Sequence, residues 1–355
     1  MFNKLIFIVF AVFLSCKLVS CNSDPVNKRK FVKNDSKDMV LLAGGDLVCA
    51  SYVENAIKKY GIEYPFAKVK EQIEKADIAF ANLECVISDK GDFRSKKINY
   101  GASLISLDSI LYSGIDVFSI ANNHVYDMDK TGLLRMRELL DRSPVFYGGS
   151  GKDLNEASEP VQVEVNGLKI AFLFYNSTGS NFCADKKTAG INCLPFENKE
   201  KALKTLKSDV KKTNKADIII LSVHWGPNYN TNTSSAQMEF AHAAIENGVD
   251  IILGHSAHIF HGIEIFNNKP IIYDMGDFLI NDDDDWDSRS FLYNIHISDG
   301  KISQLELVPV YMPNSQIRVA EGILADEIIS RFIGLSDRFK TPVKTENGKI
   351  IIDVQ

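Results

Sequence analysis

Short apolar runs recur at residues 39–43, 78–81, 115–121, 218–223, 250–253 and 270–273, with too little polar alternation for strands exposed on one face. Strands buried on both faces read this way, because each face must meet another layer. Between the runs, residues 66–75, 104–113, 132–140, 199–212 and 235–247 place apolar positions at helical spacing. Strands alternating with helices predict stacked α/β layers. Residues 161–165 and 168–174 flank Asn166-Gly167, and residues 291–297 and 302–309 flank Asp299-Gly300. Each dipeptide suits a type I′ turn between antiparallel strands, so the sheets are expected to be mixed. A third such pair, Asn347-Gly348, follows a helical stretch at 323–332.

Six runs hand over to polar residues able to bind a metal or move a proton. They end in Gly45-Asp46, Asn82-Leu83-Glu84, Asn122-Asn123-His124, His224-Trp225-Gly226, Gly254-His255-Ser256-Ala257-His258 and Tyr273-Asp274-Met275-Gly276-Asp277. In layered α/β proteins the carboxyl ends of neighbouring strands open onto one crevice, where residues distant in sequence meet. Carboxylates, an amide and several imidazoles form a mixed oxygen and nitrogen set suited to Zn, Mn or Fe, as one or two divalent ions.

Charge and cysteines narrow the setting. The 355 residues carry a formal net charge of -6 and no long basic tract, which argues against nucleic acid as a partner. Lys4 precedes an apolar stretch at 5–15, short for a permanent span and suited to a secretory signal. Leu18-Val19-Ser20-Cys21 resembles the lipobox of bacterial lipoproteins, with Cys21 as the acylated residue; Phe13-Leu14-Ser15-Cys16 is the alternative. This gives a signal over 1–21, a polar tether over 22–38, a main domain over 39–310 and a C-terminal helix and hairpin over 311–355. Export places the chain where disulfides persist. Cys183 and Cys193 enclose a short polar segment and are the economical pair; Cys49 and Cys85 read as core thiols, a disulfide or ligands.

The order and spacing of these motifs between residues 39 and 278 resemble the CapA family of capsule and poly-γ-glutamate synthesis proteins. That family is similar in fold to calcineurin-like metallophosphoesterases, implying a four-layer sandwich of two mixed β-sheets flanked by helices. The resemblance implies Asp46, Glu84, Asn123, His224, His255 and His258 as metal ligands, Glu84 bridging, and His124 as the acid that protonates a leaving group. Asn82, Asn122, Trp225 and Lys97 are expected to contact substrate, Lys97 within the basic cluster of Arg94, Lys96 and Lys97. The metallophosphoesterase Asp-x-His opening is missing, since Leu47 and Val48 follow Asp46, so one metal is a serious alternative to two.

Two functions follow from the resemblance. One is a metal-dependent hydrolase or transferase on the bacterial cell membrane or outer membrane, acting on γ-glutamyl amide bonds of an anionic polymer or on phosphoesters. The other is a non-catalytic accessory that holds poly-γ-glutamate for membrane synthetase subunits. With no Walker-type loop in the chain, polymerisation falls to such partners. His261 is expected in a hairpin or at the surface, His242 in helix packing, and 282–285 in a solvated turn.

Overall fold

The computed structural model describes residue 31 and residues 36–179, 181–213, 215–280 and 288–354. The leader, Cys21 and the acidic run at 282–285 lie outside the described residues. Among those described, no helix is long and apolar enough to cross a membrane.

Successive side chains of a strand point to opposite faces, and here both faces are covered. In the strands Met39–Leu47 and Ile78–Leu83, Leu41, Ala43, Ile78 and Phe80 join one core, whereas Leu42, Ala79 and Ala81 join another. The first core is shared with Ile170, Phe172, Ile220 and Leu253 of a second sheet. The other contains Val53 and Ile57 of the helix Ser51–Tyr60, Ile110 of Leu104–Ser113, and Leu133 and Met136 of Asp129–Asp141. On the far side, Leu173, Leu221 and Ile252 meet Ala202 and Leu206 of the helix Lys199–Val210 and Phe240 and Ala244 of Ser235–Glu246. The result is helix, sheet, sheet, helix.

The larger sheet runs Lys344–Glu346, Lys349–Asp353, Lys301–Tyr311, Arg289–Ser298, Met39–Leu47, Ile78–Leu83, Val117–Ser119, Phe146–Gly148. From Met39–Leu47 to Phe146–Gly148 the pairing is parallel; the strands on the other side pair antiparallel. The smaller runs Ile263–Phe266, Lys269–Ile272, Ile251–His255, Ile218–His224, Leu168–Asn176, Val161–Val165, parallel in the middle and antiparallel at both edges. Both sheets are mixed. The three hairpin dipeptides carry positive φ at both residues, as type I′ turns require: Asn166 and Gly167 at 48° and 77°, Asp299 and Gly300 at 50° and 72°, Asn347 and Gly348 at 51° and 74°.

Residues 311–355 share the same packing. Ile328 and Phe332 of the helix Gly322–Ser336, with Ile350 and Ile352 of the last strand, lie in the core between the sheets. The helix expected over 66–75 is regular only at Lys70–Lys75. The segment before it is tied outward, since Ile317 N donates to Pro65 O and Gln316 Nε2 donates to Tyr64 O.

Candidate metal centre

Glycines let the strands that carry the candidate ligands close in. A Cβ on Gly45 would stand 1.8 Å from Gly276 O, and one on Gly254 would stand 1.9 Å from Tyr273 O. The tight approach lets Asp46 N donate to Gly276 O at 3.0 Å. Asp46 is fully buried at the end of its strand; its Oδ1 accepts from Asn82 Nδ2 at 2.7 Å and its Oδ2 from Ser256 N at 3.1 Å. Around it stand His255 Nδ1 at 3.6 Å, His258 Nδ1 at 3.7 Å and His224 Nδ1 at 4.0 Å. Glu84, on the next parallel strand's exit, lies 3.5 Å from His224 Nε2 and 3.8 Å from His124 Nε2.

One ligand atom from each of Asp46, Glu84 and His258 falls within 4.8 Å of the others. Both oxygens of the fully buried Glu84, and Nδ1 of the fully buried His255, have no hydrogen-bond partner. A buried carboxylate without a donor costs several kcal/mol. The donor set therefore fits a divalent cation, which would supply the missing partner.

The electrostatics agree. Burial pushes the His224 imidazole down to about 3 and that of His255 down to about 4, so both are neutral at pH 7 with a lone pair to offer. Burial would raise Asp46, but His224, His255 and His258 outweigh it and hold the carboxyl below its ordinary value. Burial, then the Asp46 charge, pushes Glu84 well above the usual carboxylate range. Against burial, Asp277, whose Oδ1 lies 2.8 Å from the His258 Nδ1, and Glu84 raise the His258 pKa above its ordinary value.

A second group adjoins the first. His124 Nδ1 lies 2.6 Å from Asp127 Oδ2, and Asp127 accepts in turn from Lys96 Nζ at 2.8 Å and Tyr100 N at 2.8 Å. Burial lowers the His124 pKa although Asp127 opposes it. The Asp127 bond places the Nδ1 proton and leaves Nε2, the atom facing Glu84, free to take or give one. The Tyr100 ring covers the imidazole at 4.3 Å between centroids. Asn123 Oδ1 accepts from His224 Nε2 at 2.8 Å, which brings the third strand's exit to the same point.

Thus Asp46, Glu84, Asn123, His124, His224, His255 and His258 converge. The expected substrate contacts do not. Asn82 is buried and spends its amide on Asp46 and, at 3.3 Å, on His224 Nδ1, while buried Asn122 donates to Asn82 Oδ1 and Leu83 O. Both hold the strand ends in register and touch no open space. Trp225 is fully buried in the outer core, its Nε1 donating to Tyr273 O at 2.8 Å, so it packs and cannot stack on a ligand. Lys97 is exposed; its neighbour Lys96 makes the contact, also reaching Asn123 O at 3.1 Å.

Other expectations resolve alongside. His261 is buried, not superficial, and bonds Asn230 O at 2.7 Å. His242 stacks on Phe266 and reaches Glu264 at 2.9 Å. Cys183 and Cys193 form a disulfide, and Cys49 and Cys85 are free and buried. Reading the sequence missed Ser222, whose Oγ lies 3.1 Å from His255 Nε2, and Ser256; the latter's place between two motif histidines was the available signal.

Residues 40–282 match the family described as bacterial capsule synthesis protein PGA_cap. The capsule biosynthesis protein CapA of Bacillus anthracis is 26% identical over 293 residues, covering 81% of this chain and 69% of that one. The PGA biosynthesis protein CapA of Bacillus subtilis (strain 168) is 26% identical over 317 residues, 87% and 81% of the two chains. A probable polyglutamine synthesis accessory protein of Mycobacterium tuberculosis is 25% identical over 294 residues, 78% and 76% of the chains. Among solved structures, a hypothetical protein from Thermus thermophilus aligns with TM-score 0.45 at 16% identity, over 79% of this chain and 96% of that one. A 5'-nucleotidase precursor from the same organism aligns at 0.39 and 10% identity, over 84% and 58%.

Proposed function

Because the chain belongs to the bacterial capsule synthesis protein family PGA_cap, we propose that it works at the cell envelope in capsule or poly-γ-glutamate synthesis, as a divalent-metal-dependent hydrolase or transferase of γ-glutamyl amide bonds. The observation that carries the reading is the fully buried Glu84 carboxylate without a hydrogen-bond partner, beside Asp46 and His258. Asp46, Glu84 and His258 would hold a cation, with His224, His255 and Asn123 completing the set. Lewis acidity toward the carbonyl oxygen of a scissile amide is the chemistry a bound cation contributes.

The chain's own residues do the rest. Asp127 holds the Nδ1 proton of His124, so Nε2 takes a proton from the attacking water and delivers it to the departing amide nitrogen. Asn82 and Ser256 fix Asp46 through both oxygens. Anchoring through Cys21, and membrane synthetase subunits as partners, belong to the same reading. Phosphoester hydrolysis is the alternative chemistry for the same residues.

A non-catalytic reading has one observation in its favour: Leu47 and Val48 after Asp46 are apolar and buried, so this strand supplies no imidazole. Metal content by mass spectrometry, paired with the chain-length distribution of poly-γ-glutamate after incubation, decides between them. The enzyme reading expects bound metal that falls in His255→Ala and polymer that shortens or changes its ends. Unchanged polymer with metal bound would establish the accessory role, and no metal after reconstitution would overturn the metal centre.

A further inference from the structure

Beside the candidate centre lies a cleft of about 1520 Å³, larger than the about 300–1,000 Å³ typical of a pocket for one small molecule. Ser177 and Gly226 are among its lining residues. Ser177 N donates to His224 O at 2.9 Å, and Gly226 O accepts from Ser256 Oγ at 3.0 Å, the residue whose N–H binds Asp46. The cleft therefore lies one hydrogen bond from two site residues. It follows one face of the helix Lys199–Val210, with Lys201, Lys204 and Ser208 along its wall.

Its chemistry is that of a polyanion with an apolar backbone. Lys201 and Lys204 are exposed and, among the described residues, pair with no carboxylate. Lys212, further along, is already neutralised by Asp209 at 2.7 Å. Two unpaired ammonium groups thus stand against the one exposed carboxylate of Glu197. Leu194 and Phe196 provide an apolar floor, and Phe196 is held edge-on by Trp225. The disulfide Cys183–Cys193 staples the opposite wall, and Asn192 in that wall has a buried Oδ1 without a donor.

We propose that this cleft is the track of the polymer: an extended chain of amide-linked, carboxylate-bearing units lies in it with its carboxylates on Lys201 and Lys204. The assignment rests on the reading of the protein as a poly-γ-glutamate hydrolase, transferase or carrier. Carboxylates spaced by methylenes and an amide match ammonium groups over an apolar floor; a small phosphoester would leave most of the cleft empty.

The test is the fluorescence anisotropy of a labelled poly-γ-glutamate oligomer titrated with purified protein at low salt, all variants being made in Glu84→Gln to prevent turnover. Lys201→Glu/Lys204→Glu should weaken binding about tenfold or more, because each reversal turns an attraction into a repulsion. Lys207→Glu, on the same helix but outside the cleft, should stay within about twofold. The substituted lysines are exposed and unpaired, so an unchanged thermal midpoint confirms intact folding. Equal affinity in the double variant, or equal loss in Lys207→Glu, overturns the track and leaves the functional reading standing. No binding by any variant overturns both. Preference for a uronic-acid polysaccharide over the glutamate oligomer overturns the assigned occupant.

Discussion

The stability advantage of Glu84→Gln over the wild type should shrink by about 2.3 kcal/mol when a divalent cation is added. Without metal, Glu84 is a fully buried carboxyl that no N–H donor reaches, with the Asp46 carboxylate beside it. Leaving such a group unsatisfied costs about 1–3 kcal/mol, and the isosteric amide removes both the acid and the repulsion without opening a cavity. Metal-free Glu84→Gln should therefore melt above the wild type. At about 2 °C per kcal/mol, a slope suited to a chain of this size, the rise is about 2–6 °C. A cation at 100 times its dissociation constant stabilises the wild type by about 2.7 kcal/mol, or about 5 °C. If losing one carboxylate ligand weakens the cation about 100-fold, the same concentration gives the variant only about 0.4 kcal/mol, or about 1 °C. Differential scanning fluorimetry in chelator, then in rising Mn²⁺ or Zn²⁺, reads both terms on one sample. A variant that gains as much from the cation as the wild type would sink the ligand role of Glu84. A metal-free variant less stable than wild type would refute the claim that its carboxyl is unsatisfied.

Three further outcomes are expected. His124→Asn and Asp127→Asn should each lower turnover of the polymer by about 10²–10⁴ and about 10-fold or more respectively, with metal content by mass spectrometry unchanged, because neither supplies a ligand. Burial holds buried His261 down to about 4, against about 6.5 in the unfolded chain, so its contribution to stability is full above pH 6.5 and is lost as pH falls toward 4. His261→Gln keeps a donor for Asn230 O and does not titrate, so its melting temperature should fall less steeply between pH 6.5 and 4, by up to about 1.4 kcal/mol per pH unit in stability. Trp225→Phe removes the donor to Tyr273 O and should cost about 1–3 kcal/mol in denaturant unfolding, as befits a packing residue.

What the sequence made legible follows from how each feature is encoded. Strands buried on both faces appear as unbroken apolar runs, and type I′ turns demand residues tolerant of positive φ, so the parallel strands and three of the hairpins could be read locally, while the turn at Asn267-Asn268, also at positive φ but without a glycine, was not. The strand Val117–Ser119 is shorter than its run because Ile120 and Ala121 leave the sheet to carry Asn122, Asn123 and His124 into the crevice, still buried. The candidate ligands were legible because parallel strands end at one edge, which makes position in a run a statement about position in space. The motif residues were thus placed without any knowledge of their contacts.

Orientation within a motif has no such encoding. Asn82 and Asn123 both sit beside expected ligands, yet one clamps Asp46 from inside and the other faces His224. Nothing in their spacing separates the two, because each orientation depends on a partner 36 or 101 residues away. The same holds for Lys96 and Lys97. The segment from Asp89 to Tyr100 has no regular structure, so no period says which lysine turns inward. Its course is set from outside: Arg94 N donates to Asp127 O and Tyr100 N to Asp127 Oδ2, and between those two anchors Lys96 is the residue that falls over His124. Asp127 therefore fixes the loop as well as the imidazole. Removing its carboxylate should release both together, so a variant that loses proton transfer at His124 should also lose protection of the Tyr100 amide from hydrogen exchange.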